Sequence, residues 1–246
     1  MRTVEIDNKL EPQTYEEAIS HPTRSQEWKR AILEEYESII KTHTWDLVPL
    51  PPGRKAISCR WKFTHKKDEN GRIVRYKARL VGRGFTQVYG VDYDETYAPV
   101  ARLQTLRILL AVAAIEDLDI DQMDVVTAFL LGALKNKIYM EQSEGFVKVK
   151  RLVCLLKQSL YGLKQSAWIW NMRFTTYMKD HGFEQSNADP CVFIGAENGI
   201  ILTIYVDDIW IVGKPQQVKA TKHLLSSEFK MKDLEELKWC LGMAIT

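Results

Sequence analysis

The stretch "ILTIYVDDIWIVG" (201–213) sets two adjacent carboxylates, Asp207 and Asp208, inside a run that is otherwise almost wholly apolar. Apolar flanks predict burial, yet two like charges resist leaving water. In an unbroken strand successive side chains alternate, so the two acids would face opposite layers. A tight hairpin with the acids at its tip lets both approach one point and makes the apolar arms paired strands. Like charges beside a core are costly unless a cation answers them. Magnesium prefers carboxylate oxygens and keeps room for substrate phosphates. The competing reading is a plain solvent-facing turn, where Asp is common; the arms "ILTIY" and "IWIVG" argue against it.

A phosphoryl-transfer site needs a further carboxylate from another strand. "DLDIDQMDVVTAFL" offers Asp117, Asp119, Asp121 and Asp124. Alternation puts Leu118, Ile120, Gln122 and Asp124 on one face, with Asp124 last, at a strand-to-helix junction. The other three acids read as solvated.

The rest of the chain shows no repeats. Residues 23–43 carry Trp28, Ile32, Tyr36 and Ile39 at helical spacing, with Thr23 or Ser25 as cap. "LVPLPPGRK" breaks the chain with three prolines and a glycine and is the clearest candidate boundary. "WKFTHKKDENGRIVRYKARLV" reads as two strands around an "ENG" turn. A buried helix is expected over 101–117, a strand over 118–126, a helix in "TAFLLGAL", and strands in "KIYMEQ" and "RLVCLLK". A helix over 167–182 stops at Gly182, and a hairpin turns at Asn198-Gly199. A helix opens at Pro215, and "LKWCLGMAIT" ends the chain as a strand. Helices alternate with strands joined by tight turns, which predicts an α+β fold with a mainly antiparallel sheet.

Net charge is +2, but it is unevenly placed. Residues 54–83 hold eleven Lys/Arg against two acids, a net of +9, while 1–53 carry −4 and 84–246 carry −3. Such a stretch is often a solvated face. Interleaved aromatics (Trp61, Phe63, Tyr76, Phe85) point instead to a polyanionic partner, a phosphate backbone or a triphosphate. No apolar run approaches the roughly 18 residues that span a bilayer, and the first residues hold no apolar signal segment. The four cysteines are far apart without paired spacing, which argues for reduced thiols in an intracellular setting and against zinc.

"YVDD" (205–208) with "DVVTAF" (124–129) resembles the paired catalytic motifs of reverse transcriptases. Longer phrases resemble the copia-type retrotransposon branch: "EPQTYEEAI", "WDLVPLPPGRKAISCRWKF", "RYKARLVGRGFTQVYGVDYDETYAPVARLQTLRILLAVAA", "LVCLLKQSLYGLKQSAWIW" and "SSEFKMKDLEELKWCLGM". The likeness runs from about residue 11 to the C-terminus.

The resemblance implies an RNA-directed DNA polymerase with a right-hand fold whose thumb is largely missing. It implies an N-terminal helical extension over 1–44 and polymerase fingers and palm over 45–246. The fingers would take about 45–99 and 132–166, and the palm about 100–131 and 167–246. Asp124, Asp207 and Asp208 would be the catalytic triad. With the backbone carbonyl of Val125 they would bind two Mg²⁺ ions, with Mn²⁺ as a substitute. Lys77 or Arg79 would grip the triphosphate of the incoming dNTP. Phe129 would be the aromatic gate against a ribose 2′-hydroxyl; read alone it is equally a core Phe. Tyr161 and Gly162 would lie nearest the substrate, and "WCLGM" (239–243) would be the primer grip. Partners would be an RNA or DNA template with its primer and, in a full-length element, the thumb, ribonuclease H and integrase segments of Pol. Such proteins work in the cytoplasm, within virus-like particles, or in the nucleus. The family pattern after "YGLKQ" is commonly a small residue, then Pro-Arg, where this chain has Ser166-Ala167-Trp168. Leu131-Gly132 replaces the usual Asn-Gly, and Ala244 stands where an acid is usual. None of these touches the expected metal ligands. They leave a second expectation beside the first, a catalytically silent remnant that only binds nucleic acid.

Overall fold

The computed structural model describes residues 11–68, 71–240 and 243–245. Along the chain run α1 (Tyr15–Ile19), α2 (Ser25–Lys41), β1 (Trp45–Pro49), β2 (Cys59–Lys67), β3 (Ile73–Gly82), α3 (Leu103–Glu116), β4 (Asp119–Val125) and β5 (Ala133–Met140). There follow β6 (Leu152–Gln158), α4 (Ser166–Asp180), β7 (Phe183–Gln185), β8 (Val192–Gly195), β9 (Ile201–Tyr205), β10 (Asp208–Gly213), α5 (Pro215–Glu228), β11 (Met231–Glu236), β12 (Trp239–Cys240) and β13 (Met243–Ala244). Every pairing between these strands is antiparallel, and the fold is α+β. The chain divides into two compact units, one formed by 1–96 with 129–166 and the other by 97–128 with 167–246.

In the first unit, β2 and β3 form a hairpin with two unlike faces, because strand side chains alternate. Trp61, Phe63, Ala78 and Leu80 are buried on one face. Trp28 of α2 meets Phe63 edge-on at 5.4 Å and Tyr76 at 4.7 Å, so the helix closes that face with its apolar stripe. The opposite face carries Arg60, Lys62 and Lys66 from β2 and Arg75, Lys77 and Arg79 from β3, with Lys62 opposite Arg79 and Lys66 opposite Arg75. Residues 69 and 70 of the expected "ENG" turn lie outside the described residues, as do residues 1–10 of the expected N-terminal extension. The helices of that extension contribute to the same core as the hairpin.

A three-stranded sheet, ordered β1-β6-β5, completes this unit. The Pro/Gly stretch before β2 is a loop inside the unit and not a boundary, because both its ends are tied down. Ile57 N–H donates to Tyr139 O at 2.8 Å, and Arg54 pairs with Asp92 at 3.1 Å. Pro49 is tolerated because β1 is an edge strand.

The second unit is built on a six-stranded sheet ordered β11-β4-β10-β9-β8-β7. Ile209 to Gly213 of β10 are all buried, which is why that strand reads as a continuous apolar run. α4 adds Trp170 and Phe174, whose rings pack on Phe229 and Phe193. α3 is less buried than expected: Leu106, Leu109 and Ala113 face inward, while Ile108 and Ile115 are 61% and 80% exposed. "TAFLLGAL" is not a helix. It forms a 3₁₀ turn over Ala128–Leu131 and then enters β5, after Thr127 takes a left-handed φ of 61° that ends any helical path. β11 is a strand that the polar "MKDLEE" did not announce. In place of the single expected strand, β12 pairs antiparallel with β13; residues 241 and 242 of "WCLGM" lie outside the described residues. Among the described residues no helix is long and apolar enough to cross a membrane.

Candidate active site

The tip of the β9–β10 hairpin is a two-residue turn. Tyr205 pairs with Asp208, leaving Val206 and Asp207 as the central residues. Val206 has a φ of 62°, a left-handed value that a β-branched side chain resists. Two contacts hold it there. The indole N–H of buried Trp170 donates to Val206 O at 2.6 Å, and Val125 N–H donates to Asp207 O at 2.8 Å. The second of these ties the turn to the end of β4.

Register then decides which acids meet. β10 pairs with β4 so that Asp208 stands directly opposite Asp124, and β11 pairs with β4 so that Lys232 stands opposite Asp124 on the other side. Lys232, Asp124, Asp208 and Tyr205 thus form one row across four strands. Directly opposed like charges destabilise a sheet. Burial raises the Asp208 pKa, and the Asp124 and Asp207 charges raise it further. The Gln122 amide opposes this: its Nε2 donates to both Asp208 oxygens at 2.8 Å, and the neighbouring Trp210 side chain also lowers the pKa.

The other acids of the 117–124 run stay apart from this row. Asp121 pairs with Lys222, which also reaches Asp233 at 2.8 Å. Among the described residues no group of three His, Cys, Asp or Glu side chains is placed to hold a metal ion. The donor chemistry of the row nevertheless suits a hard divalent cation. Its ligands would be carboxylate oxygens, and a cation would relieve the repulsion that raises Asp208.

The first unit gathers the remaining expected residues. Phe129 meets Tyr161 edge-on at 5.3 Å, and the Arg79 guanidinium lies over the Tyr161 ring at 4.8 Å. The buried Arg79 Nε has no hydrogen-bond partner among the described residues. Lys77 lies two positions before Arg79 on the same strand face. Burial raises the pKa of nearby Glu35, against the lowering effect of its bond from Leu80 N–H and of the Arg79 and Lys77 charges. Gly162, at φ 86°, packs so tightly under β3 that a Cβ there would collide with Gly82 O and Val81. This packing is a structural reason for the glycine that needs no substrate.

Sequence reasoning missed Gln122, Trp170, Trp210 and Lys232. Gln122 had a signal, since alternation set it on the face of Asp124. Trp170 and Trp210 read as core, and Lys232 depends on β11, which was not foreseen.

Paired acids on adjacent antiparallel strands beside a strained turn make this the candidate active site. The family model for reverse transcriptase (RNA-dependent DNA polymerase) matches residues 42–246, and the chain belongs to that family. It is 46% identical over 98% of its length to the Pol polyprotein of transposon TNT 1-94 from Nicotiana tabacum. It is 39% identical, again over 98% of its length, to that of transposon RE1 from Arabidopsis thaliana. The chain spans only 18% and 16% of those two relatives. Among solved structures it resembles a foamy viral protease–reverse transcriptase at 13% identity, covering 86% of this chain and 32% of that one. The TM-score of 0.39 is too low for that likeness to place any residue.

Proposed function

We propose that this chain is the polymerase part of a copia-type retrotransposon Pol polyprotein, transferring a nucleotide from a dNTP to a primer 3′-hydroxyl on an RNA or DNA template. The observation that carries this reading is the register that sets Asp208 opposite Asp124, with Asp207 in the adjoining turn. In this reading the unit holding the six-stranded sheet is the palm and the other unit the fingers. The remaining Pol segments are its partners.

Asp124, Asp207, Asp208 and the Val125 carbonyl would hold two Mg²⁺ ions. When bound, such ions activate the primer hydroxyl and offset the charge of the triphosphate. The protein's own contribution is positional. The Val125–Asp207 and Trp170–Val206 hydrogen bonds fix the turn that carries the second and third acids. Phe129, propped by Tyr161, presents a ring that would exclude a ribose 2′-hydroxyl. Arg79 is preferred to Lys77 for the triphosphate. Its guanidinium is oriented by Tyr161, and its Nε–H still has a hydrogen bond to give. The cationic face of the β2–β3 hairpin would take backbone phosphates.

The test is primer extension on an RNA template with Mg²⁺ and dNTPs, comparing the chain with Asp207→Asn. Template-directed extension that the substitution abolishes is expected. A chain that binds primer–template normally yet extends nothing, with Mg²⁺ or Mn²⁺, overturns the polymerase reading in favour of a silent binding remnant.

A further inference from the structure

The contact between Gln122 and Asp208 has a geometry that an ordinary supporting hydrogen bond lacks. One nitrogen, Nε2, lies 2.8 Å from both carboxylate oxygens, so it sits between them on the inner edge of the carboxylate. That edge is where a chelated cation would sit. Gln122 comes from β4, two residues before Asp124, and Trp210 of β10 is its cross-strand partner. The amide therefore stands beside the charged row, one same-face position along β4 from Asp124.

We propose that Gln122 is a positioning residue that occupies the chelating edge of Asp208 in the metal-free protein and gives up that edge when a divalent cation enters. The inference rests on the reading of Asp124, Asp207 and Asp208 as cation ligands. Its physical content is competition. The amide's partial positive charge offsets part of the repulsion among three acids gathered at the end of β4 and the adjoining β9–β10 turn. The inner edge of Asp208 cannot hold an amide nitrogen and a cation at once, so uptake of the ion breaks two hydrogen bonds. Gln122 thereby makes the empty site stable at the expense of affinity. A supporting residue that merely aimed Asp208 at the ion would do the reverse and raise affinity.

Mn²⁺ binding by calorimetry and by electron paramagnetic resonance separates the two cases. Gln122→Met keeps the length and removes the donor, and Gln122→Asn keeps an amide that cannot reach. Both should bind Mn²⁺ about tenfold more tightly than the natural chain, the scale set by a hydrogen bond to a charged group. Both should melt at lower temperature without metal. Unchanged or weaker binding overturns the proposal. Should neither variant fold, the natural chain still decides. The Gln122 side-chain amide signals should move with added Mg²⁺ as their hydrogen bonds break, and signals that stay in place overturn it. Asp208→Asn separates the layers. If the natural chain binds no Mn²⁺, the cation reading falls and this one with it. If Asp208→Asn binds Mn²⁺ as well as the natural chain, Asp208 is no ligand and the competition alone falls.

Discussion

The Trp170 indole holds the Val206 carbonyl at 2.6 Å, and Val206 is the residue whose φ of 62° lets the hairpin turn immediately before its two acids. A buried aromatic thus stabilises a conformation that a valine avoids. Trp170→Phe keeps most of the ring but leaves that carbonyl without its donor, and should cost about 1–3 kcal/mol in urea unfolding. Val206→Gly should do the opposite and add on the order of 1 kcal/mol, since glycine adopts positive φ without strain. In the double variant the two effects should not add, because the turn no longer needs its clamp. Strict additivity would show that the hydrogen bond and the strain are unrelated.

Asp208 binds its proton more tightly in the folded protein than in the unfolded chain, first through burial and then through Asp124 and Asp207. The stability it contributes is fully present below the ordinary carboxylate pKa and is lost as pH rises through the raised value. Asp208→Asn cannot ionise, so without metal at neutral pH it should be more stable by about 0.5–2 kcal/mol, the usual gain from relieving a functional site. The gain should vanish in acid, below about pH 4. Melting curves in chelator across that range test it, and a gain independent of pH would assign the effect to packing.

Gly162 has no room for a side chain. At φ 86° a Cβ would meet Gly82 O, and the Cβ of an alanine at 84 would meet Gly162 O in the same contact. Gly162→Ala should therefore destabilise by about 3 kcal/mol or more, combining steric overlap with an unfavourable φ. Phe129→Ala, in the same unit, should cost less. A Gly162→Ala protein of ordinary stability but altered nucleotide binding would return this residue to the substrate.

What the sequence made legible was local. The 201–213 hairpin needs only neighbouring residues, and its apolar arms named both strands. The alternation of 118–124 singled out Asp124 for the same reason. Features that depend on distant chain stayed hidden. β11 is polar, and it is a strand because β4 offers it an unpaired edge. "LLGAL" is apolar enough for helix or strand, and pairing of Ala133 with Gln158 decides for strand. The prolines of 49–52 look like a boundary until Arg54 and Ile57 are seen anchored to the same unit. Alternation set Gln122 on the face of Asp124, but only the register of β10 reveals its partner.

The cationic face of β2 and β3 predicts how nucleic acid is held. Arg60, Lys62, Lys66 and Arg75 are exposed there, Lys77 and Arg79 are half-buried, and the aromatic residues between them point into the core or toward it. A surface of this kind meets phosphates and not base edges, so it should bind with little sequence preference and release counterions in doing so. Each phosphate contact contributes about 0.9 to the slope of log affinity against log salt on duplex. Changing Lys62, Lys66, Arg75 and Lys77 together to Ser should flatten that slope by about three to four for a primer–template duplex, read by fluorescence anisotropy. Changing Lys148, Lys150 and Arg151, exposed in the loop whose Phe146 packs on Trp61 of the hairpin's buried face, should leave it almost unaltered. Lys77 and Arg79 part company in a further measurement. Arg79→Lys keeps the charge but loses the fork and the stack on Tyr161, so it should weaken dNTP binding while leaving the salt slope for duplex intact. If it changes the slope and not dNTP binding, Arg79 serves the duplex, and the triphosphate falls to Lys77.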